Sequence, residues 1–248
     1  MKGAKMIYHL NYAVTPPWST IIFEKKSDDR SVKNTLYKLK LDANLIHLHH
    51  KHARLRRIDQ VWDRNNVNSA IVFLSDYQLY FNGQHSQRFS AFGAKYVSAK
   101  SGVIGMEGKQ SEFEEGASNM VQWFIFINKC DGDVCIGLQC LDDVKQLNKR
   151  YIGDFCDRKN GWAYHCDGFL KHSGSFSRYG WKYGENDTVG VMLDLNTAQL
   201  KFSLNGKLCC SVNGGIALPK CDMNSNYSPI YRLAVSVGLN SAAKLTIV

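Results

Sequence analysis

Hydrophobic residues occupy every second position in two neighbouring stretches near residue 200, which predicts a pair of β-strands. The apolar positions are Val189, Val191, Leu193 and Leu195 in the first stretch and Leu200, Phe202 and Leu204 in the second. Because side chains alternate between the two faces of a strand, each strand should bury one face and leave the other in water. Asn205-Gly206 follows at once, and these residue types accept the two positive-φ positions of a type I′ turn. The pattern therefore predicts an antiparallel hairpin whose chain returns through Leu208 to Val212.

Further motifs lie on both sides of this hairpin in a recognisable order. They are VWDRNNVNSAIVFLSDYQLYF, VQWFIFINKCDGDVCIGLQC, GWAYHCDGFLKHSG, YGENDTVGVMLDLNTAQLKFSLNGK and SPIYRLAVSVGLNSAAKLTIV. Together they resemble a SPRY (B30.2-like) domain over residues 61–248, and the C-terminal half is the most diagnostic part. The resemblance implies an all-β fold, a bent antiparallel β-sandwich of the concanavalin-like type. Residues 1–60 would then form a separate N-terminal arm.

Several prominent residues are predicted to have architectural roles. Residues 123–127, WFIFI, fit a central strand that is buried on both faces. Trp62, Trp162 and Trp181 are predicted to close the ends of the sheets. His172 lies among glycines that mark turns, and we expect it to be a structural histidine.

The positive charge of the chain is concentrated in the N-terminal arm. Of the net charge of +9, residues 1–60 carry 12 Lys and Arg against 5 Asp and Glu, whereas residues 61–248 carry 19 against 17. Apolar residues spaced by three, four or seven positions between Leu41 and Ile58 predict one amphipathic helix in the arm. The basic side chains of this helix are Lys51, Arg54, Arg56 and Arg57. They indicate either a solvated helix face or a contact site for an acidic partner such as RNA or an anionic membrane.

The composition indicates an intracellular protein without a membrane-spanning segment. Hydrophobic residues make up 44% of the 248 positions, but no run approaches the roughly 20 apolar residues that cross a bilayer. The N-terminus lacks the apolar stretch of a secretory signal, which favours the cytoplasm, while the absence of acids from the first 23 residues leaves organelle import open. The eight cysteines include no C-x-x-C pair, so we expect reduced thiols. If a disulfide forms, Cys130 and Cys135 on either side of a turn are the first candidates.

Patterns for catalysis or metal binding are weak. The predicted helix carries four histidines, His47, His49, His50 and His52, but it offers no obvious third ligand on the face that two of them could share, so no metal site is predicted. The best candidates for the paired carboxylates of a glycosidase are Glu112, Glu114 and Glu115. They lie in a polar stretch, residues 100–119, that is predicted to be a loop. His165 and Cys166 would point to opposite faces of a strand, which excludes a joint role. No cofactor, small-molecule substrate or enzymatic activity is predicted.

The SPRY resemblance implies a binding function instead. In that family, loops at one rim of the sandwich form a pocket for a short segment of a partner protein, which in some relatives is Asn-rich. The corresponding residues of this chain are Gln84, His85, Gln87, Arg88, Tyr151, Leu239 and Asn240. A polar and cationic rim suits an acidic or amide-rich ligand. Leu239 and Asn240 stand where those relatives have a tryptophan, so the same peptide specificity is not implied.

The sequence thus predicts a non-enzymatic protein-interaction module that binds a short segment of a partner protein through the rim loops. Such a module would serve as a scaffold or adaptor, a component of a larger assembly. The alternative is a scaffold that binds RNA or another acidic surface through the basic N-terminal arm.

Overall fold

The computed structural model describes residues 6–7, 22–23, 56–57, 60–65, 68–83, 87–98, 102–104, 110–111, 120–141, 153–209, 215–219 and 229–248. The chain divides into two units, Met1–Asn44 and Leu45–Val248. In the first unit, strand β1 (Met6–Ile7) pairs with strand β2 (Ile22–Phe23) in antiparallel orientation. The second unit contains two larger sheets.

The first of these sheets contains nine strands. They are β3 (Arg56–Arg57), β4 (Ile71–Phe73), β5 (Gln78–Asn82), β9 (Met120–Asp131), β14 (Thr188–Asp194), β15 (Gln199–Leu204), β16 (Lys207–Leu208), β17 (Ile216–Ala217) and β19 (Ala242–Ile247). The spatial order is β16-β15-β14-β9-β19-β5-β4, with β17 beside β15 and β3 beside β9. Strand β3 runs parallel to β9, and the other pairs of this sheet are antiparallel.

The second sheet contains eight strands. They are β6 (Phe89–Ser98), β7 (Gly102–Ile104), β8 (Gln110–Ser111), β10 (Val134–Leu141), β11 (Gly161–His165), β12 (Phe169–His172), β13 (Ser175–Arg178) and β18 (Ile230–Val237). The order is β13-β12-β11-β10-β18-β6-β7-β8, and the pairs are antiparallel. One hydrophobic core contains buried side chains from both sheets, so the predicted all-β antiparallel sandwich is confirmed.

The hairpin predicted from the alternating residues is also confirmed. Val189 of β14 lies opposite Leu204 of β15, and all seven of the alternating apolar residues are buried. Asn205 and Gly206 have φ angles of 50° and 81°, as a type I′ turn requires, and the chain returns as β16. Beyond β16, residues 210–212 of the predicted return lie outside the described residues.

Strand β9 corrects one prediction. It buries alternate residues, so Trp123 and Ile125 face the core while Phe124 and Phe126 are half-buried. The prediction of burial on both faces is therefore wrong for this strand. Strands β10 and β18 are buried at every position instead. The reason is that a segment with a 3₁₀ turn, Phe155–Asp157, packs on the outer face of the second sheet.

Two of the three tryptophans are buried as predicted. Trp62 donates from Nε1 to the Tyr77 carbonyl at 2.9 Å, and Trp162 stacks on His172 with ring centroids 4.6 Å apart. Trp181 is 54% exposed, so its predicted burial is wrong. It follows β13, which is the edge strand of the second sheet, and therefore lies beyond the last paired strand.

Two predictions about the remaining segments are wrong in part. The stretch 100–119 includes β7 and β8, because β7 pairs with β6 and β8 pairs with β7 at the edge of the second sheet. The three glutamates predicted in its loop lie outside the described residues. Arg56 and Arg57 belong to a strand rather than a helix, since their backbone pairs with Val121 and Gln122. The rest of the predicted helix, including its four histidines, lies outside the described residues. Within the described ranges, the structure has no helix whose length and hydrophobicity would span a membrane.

Candidate functional site

Four side chains form a row across the outer face of the second sheet. The strand register sets Ser90 of β6 opposite Ser236 of β18, Ser236 opposite Cys135 of β10, and Cys135 opposite His165 of β11. Residues directly opposite on paired strands project from the same face. Ile136, one position along from Cys135, projects into the core between the sheets. The row is therefore a product of register, and it lies at the end of the sheet where β9 turns into β10.

Asp154 lies over this row with a fully buried carboxylate. Its Oδ1 accepts hydrogen bonds from Cys156 N at 3.3 Å and Ser236 Oγ at 2.6 Å. Its Oδ2 lies 2.6 Å from Lys171 Nζ and 2.9 Å from Arg88 Nη1. Burial by itself would raise the pKa of Asp154, but the hydrogen bonds from Cys156, Lys171 and Ser236 outweigh burial and lower the pKa to about 2. Asp154 is therefore a charged centre that joins four surrounding residues.

Asp133, in the turn between β9 and β10, links Arg88 to His165. One carboxylate oxygen pairs with Arg88 Nη2, and the other lies 2.7 Å from His165 Nε2. Burial opposes ionisation of Asp133, but the hydrogen bond to His165 and the charge of Arg88 lower its pKa. Burial likewise opposes protonation of His165, but the hydrogen bond to Asp133 raises its pKa to about 10. The Asp167 N–H donates to His165 Nδ1 at 3.1 Å, which favours a neutral ring with no proton on Nδ1. The contact with Asp133 favours the protonated ring, so the two contacts compete over the charge of His165.

Three acids and three bases thus share one end of the second sheet; they are Asp133, Asp154, Asp157, Arg88, Lys171 and His165. The side chain of Lys171 is only 4% exposed and pairs with both Asp154 and Asp157. A buried charge of this kind is tolerated only with good hydrogen-bond geometry and close partners. We call this set of six residues the floor, because it fixes the loops above it.

Two of the loops that were predicted to bind a partner meet at this floor. Arg88, at the end of the loop 83–88, pairs with Asp133. Asp133 N in turn donates to Ser241 Oγ at 2.9 Å, which attaches the loop 238–241. The turn between β9 and β10 therefore connects the two loops, and we call the three loops 83–88, 131–133 and 238–241 the rim.

The rim exposes three of the predicted binding residues: Gln87, Leu239 and Asn240, which we call the tips. Leu239 is 53% exposed. The turn beneath the tips requires Gly132, whose φ is 101° and whose hydrogen atoms face Ser241; a Cβ there would clash with Ser241 Oγ. The tips are thus solvent-exposed side chains on a tightly packed support.

The other predicted binding residues are not described in the same detail. Gln84, His85, Tyr151, Lys51 and Arg54 lie outside the described residues, and for Arg56 and Arg57 only the backbone is described. Their roles stay predictions.

The structure also corrects the predictions about cysteines. Cys166 Sγ lies 3.9 Å from His165 Nδ1, so the exclusion of a contact between these neighbours was wrong. His165 is the last residue of β11, and the alternation of a strand does not extend to the turn residue after it. The thiols of Cys130 and Cys166 both lie near the Gly132 carbonyl oxygen, Cys135 is buried, and none of the three is in a disulfide. That Cys130 and Cys135 are the first candidates if a disulfide forms stays a prediction.

Metal binding by the floor would face competition from its own cations. Asp133, Cys135 and His165 have ligand atoms within 4.8 Å of one another, as do Cys135, Asp154 and Cys156. Both carboxylates, however, already pair with Arg88, and Asp154 also pairs with Lys171. A metal ion would have to displace these contacts, so we propose no metal site here.

Sequence reasoning missed most of the floor. Its residues appear in the sequence as single polar positions beside apolar ones, such as His165 in YHC and Lys171 in FLKH. That pattern marks a polar position on a largely buried strand, which is a usable signal. It does not tell which strands are neighbours, and the cluster exists only because of that pairing.

The chain was compared with protein families, curated proteins and solved structures. A family model described as the SPRY domain matches residues 120–241. No curated protein matches the chain. Two solved structures match with a TM-score of 0.49 and 16% identity: the SPRY domain of human HERC1, with 75% of this chain and 96% of that chain covered, and a human SPRY domain, with 72% and 94% covered. The chain therefore contains a SPRY domain over residues 120–241.

Proposed function

We propose that the chain binds a short, amide-rich segment of a partner protein at the rim, as a scaffold or adaptor within a larger assembly. SPRY domains are in general protein-interaction modules and are typically non-catalytic. The observation that carries the proposal is the connection of the loops 83–88 and 238–241 through Asp133. Because Arg88, Asp133 and Ser241 are joined before any partner arrives, binding beside them would require little ordering.

The charges of the floor favour an amide-rich ligand over an acidic one. Arg88 already pairs with Asp133 and Asp154, and its side chain is only 30% exposed. An acidic ligand would have to compete with these two carboxylates and would be repelled by them. An amide side chain both donates and accepts hydrogen bonds, so it can bond to Asp133 as well as to Asn240. Leu239 adds an exposed apolar contact for a neighbouring residue of the segment.

The experiment compares intact protein with a variant of the tips, Gln87→Ala, Leu239→Ala and Asn240→Gly. Glycine is chosen at position 240 because Asn240 has a φ of 51°. Partners captured by the intact chain are mapped by cross-linking, and the cross-linked segment is then titrated as a peptide. We expect the variant to bind this peptide at least about tenfold more weakly, which corresponds to about 1.4 kcal/mol.

Leu74→Ala provides the matched control. Leu74 is 49% exposed, close to the 53% of Leu239, and it precedes β5, whose opposite end leads into the loop 83–88. The control should bind the peptide like the intact chain. Equal binding by the tip variant and the intact chain would exclude the rim as the binding surface.

The charge of the N-terminal arm supports a second proposal, in which residues 1–60 bind RNA or another acidic surface. The arm carries 12 basic against 5 acidic residues, and such an excess attracts polyanions. Lys51→Glu with Arg54→Glu should weaken binding to a single-stranded RNA and reduce the slope of log affinity against log salt by roughly 0.7 for each lost phosphate contact. An unchanged salt dependence would exclude Lys51 and Arg54 of the arm as contacts to RNA. The tip variant should leave this binding unaffected, which separates the two proposals.

A further inference from the structure

We propose that Cys166 is a peroxide-reactive thiol and that Cys130 resolves its oxidised form, which gives a disulfide between the two sheets. Cys130 lies in β9 of the first sheet, and Cys166 directly follows β11 of the second sheet. The inference concerns a site on the side of His165 away from Asp133, and it does not depend on a partner bound at the rim.

The two thiols converge on one backbone atom. Cys166 Sγ lies 3.4 Å and Cys130 Sγ 3.9 Å from the Gly132 carbonyl oxygen. Both residues are half-buried, so the sulfur atoms are accessible to a small oxidant. Nearby thiols with solvent access are the arrangement in which an oxidised cysteine is resolved to a disulfide.

His165 supplies a proton acceptor for Cys166. Its Nδ1 lies 3.9 Å from Cys166 Sγ, while its Nε2 lies 2.7 Å from the Asp133 carboxylate. Transfer of the thiol proton to Nδ1 would form a thiolate beside an imidazolium. The carboxylates of Asp133 and Asp167, which lie 2.7 Å from Nε2 and 3.9 Å from Nδ1, stabilise the imidazolium, whereas the Asp167 N–H at 3.1 Å from Nδ1 opposes the transfer.

The pKa of Cys166 supports this assignment. Interaction with Cys130 lowers that pKa most, burial raises it, and the hydrogen bond with His165 lowers it again, with a net result of about 5. Interaction with Cys166 and burial raise the pKa of Cys130, which keeps that residue a thiol.

The reaction with hydrogen peroxide balances without any other reactant. The Cys166 thiolate attacks one oxygen, so that an S–O bond forms, the O–O bond breaks, and the hydroxide that leaves takes the proton from His165. The sulfur of Cys130 then attacks the sulfenic acid of Cys166. An S–S bond forms, the S–O bond breaks, and the leaving hydroxide takes the Cys130 proton. Two thiols are oxidised by two electrons, and peroxide is reduced to two molecules of water.

The chain contains its own matched control in a second pair of thiols. The sulfur atoms of Cys135 and Cys156 lie within 4.8 Å of each other, but both residues are fully buried, and Cys156 belongs to the segment that covers the second sheet. The two pairs thus differ in access. If access and His165 decide reactivity, only Cys130 and Cys166 should respond to peroxide.

The first test treats the intact chain with hydrogen peroxide and maps disulfides by non-reducing peptide mass spectrometry. We expect a linked Cys130–Cys166 peptide and unmodified Cys135 and Cys156. In Cys130→Ser, the reaction should stop at a sulfenic acid on Cys166 that dimedone traps. Absence of the linked peptide from the intact chain, or equal linkage of the buried pair, would overturn the proposal.

The second test measures the rate of iodoacetamide labelling of Cys166 between pH 6.5 and 8.5. An ordinary thiol with a pKa of about 8.5 gains roughly 50-fold in thiolate over this range, so its rate rises steeply. If His165 stabilises the Cys166 thiolate, the labelling rate should change little between pH 6.5 and 8.5. In His165→Gln, the rate should again rise steeply with pH. A steep rise in the intact chain would show that His165 does not take the proton. The slope of the labelling rate against pH is a better measure than the absolute rate, because a thiolate of low pKa is also a weaker nucleophile.

Discussion

The floor and the tips of the rim lie at the same end of the second sheet but differ in how their side chains are held. In the floor, the carboxylate of Asp154 is fully buried and accepts hydrogen bonds from backbone, hydroxyl, thiol, ammonium and guanidinium groups. At the tips, Leu239 is 53% exposed and follows Gly238, the first residue after β18. The floor therefore determines the shape of the rim, whereas the tips can change without disturbing it.

This difference follows from the physical cost of burying charge. A carboxylate in the interior is stable only while its hydrogen-bonding partners remain, so each partner constrains the others. An exposed side chain is solvated with or without a partner and imposes no such constraint. Changes to the floor should therefore alter stability, and changes to the tips should alter binding. The predictions below test this separation.

The largest effect is expected from Asp154→Asn. The substitution keeps the shape of the side chain but leaves Lys171 and Arg88 without the buried charge that they share. Removal of one partner from a buried ion pair typically costs about 3 to 5 kcal/mol. We expect a loss of this size in the free energy of unfolding, measured by urea denaturation and followed by tryptophan fluorescence.

The control for this prediction is Asp76→Asn. Asp76 also pairs with an arginine, Arg64, at 2.9 Å, but the two side chains are 68% and 53% exposed. An exposed pair contributes about 0 to 1 kcal/mol, so this variant should unfold almost like the intact chain. If the two variants lost equal stability, the floor would not be the structural support that we describe.

The next largest effect concerns the pH dependence of stability. The pKa of His165 is raised to about 10 in the folded chain, against an ordinary value of 6.5. The stabilising contact with Asp133 is therefore complete below pH 6.5 and is lost as the pH rises through about 10. A hydrogen bond between charged groups contributes about 1.5 to 3 kcal/mol, and we expect a loss of this order in urea denaturation between pH 6 and pH 10.

His165→Gln separates this contribution from other groups that titrate at alkaline pH. The variant should be less stable than the intact chain at pH 6, and the difference should shrink towards pH 10. A constant difference over this range would mean that the ring is already neutral, with Nδ1 accepting from the Asp167 amide. The measurement thus decides between the two competing contacts of His165.

The sequence predicted the parts of the fold whose pattern is local. The alternation around Val191 and Phe202 and the turn at Asn205 depend on residues that are near one another along the chain, and all three were predicted correctly. Phe124 and Phe126 were predicted to be buried, because an apolar run does not show whether another layer covers the outer face of a strand. Coverage of a face depends on distant segments, as Phe155 illustrates on the second sheet.

The candidate site could be predicted only where the SPRY resemblance supplied its loops. Arg88, Leu239 and Asn240 were found in this way. Asp154 and Lys171 were not, because they are 17 positions apart and meet only when β12 and the segment before Phe155 lie side by side. Ion pairs between distant segments leave no periodic pattern in the sequence. Of the floor, the sequence therefore indicated only Arg88, and the role of the tips in binding stays a prediction.

The smallest effect on stability is expected at the tips. Gln87→Ala and Leu239→Ala remove exposed side chains, and Asn240→Gly keeps the positive φ of 51° that the loop requires. Surface changes of this kind usually alter the free energy of unfolding by less than about 0.5 kcal/mol each. The triple variant should therefore unfold in urea within about 1.5 kcal/mol of the intact chain and still lose the partner peptide. A loss as large as that of Asp154→Asn would mean that the tips also support the fold, and any loss of binding could then not be assigned to a surface contact.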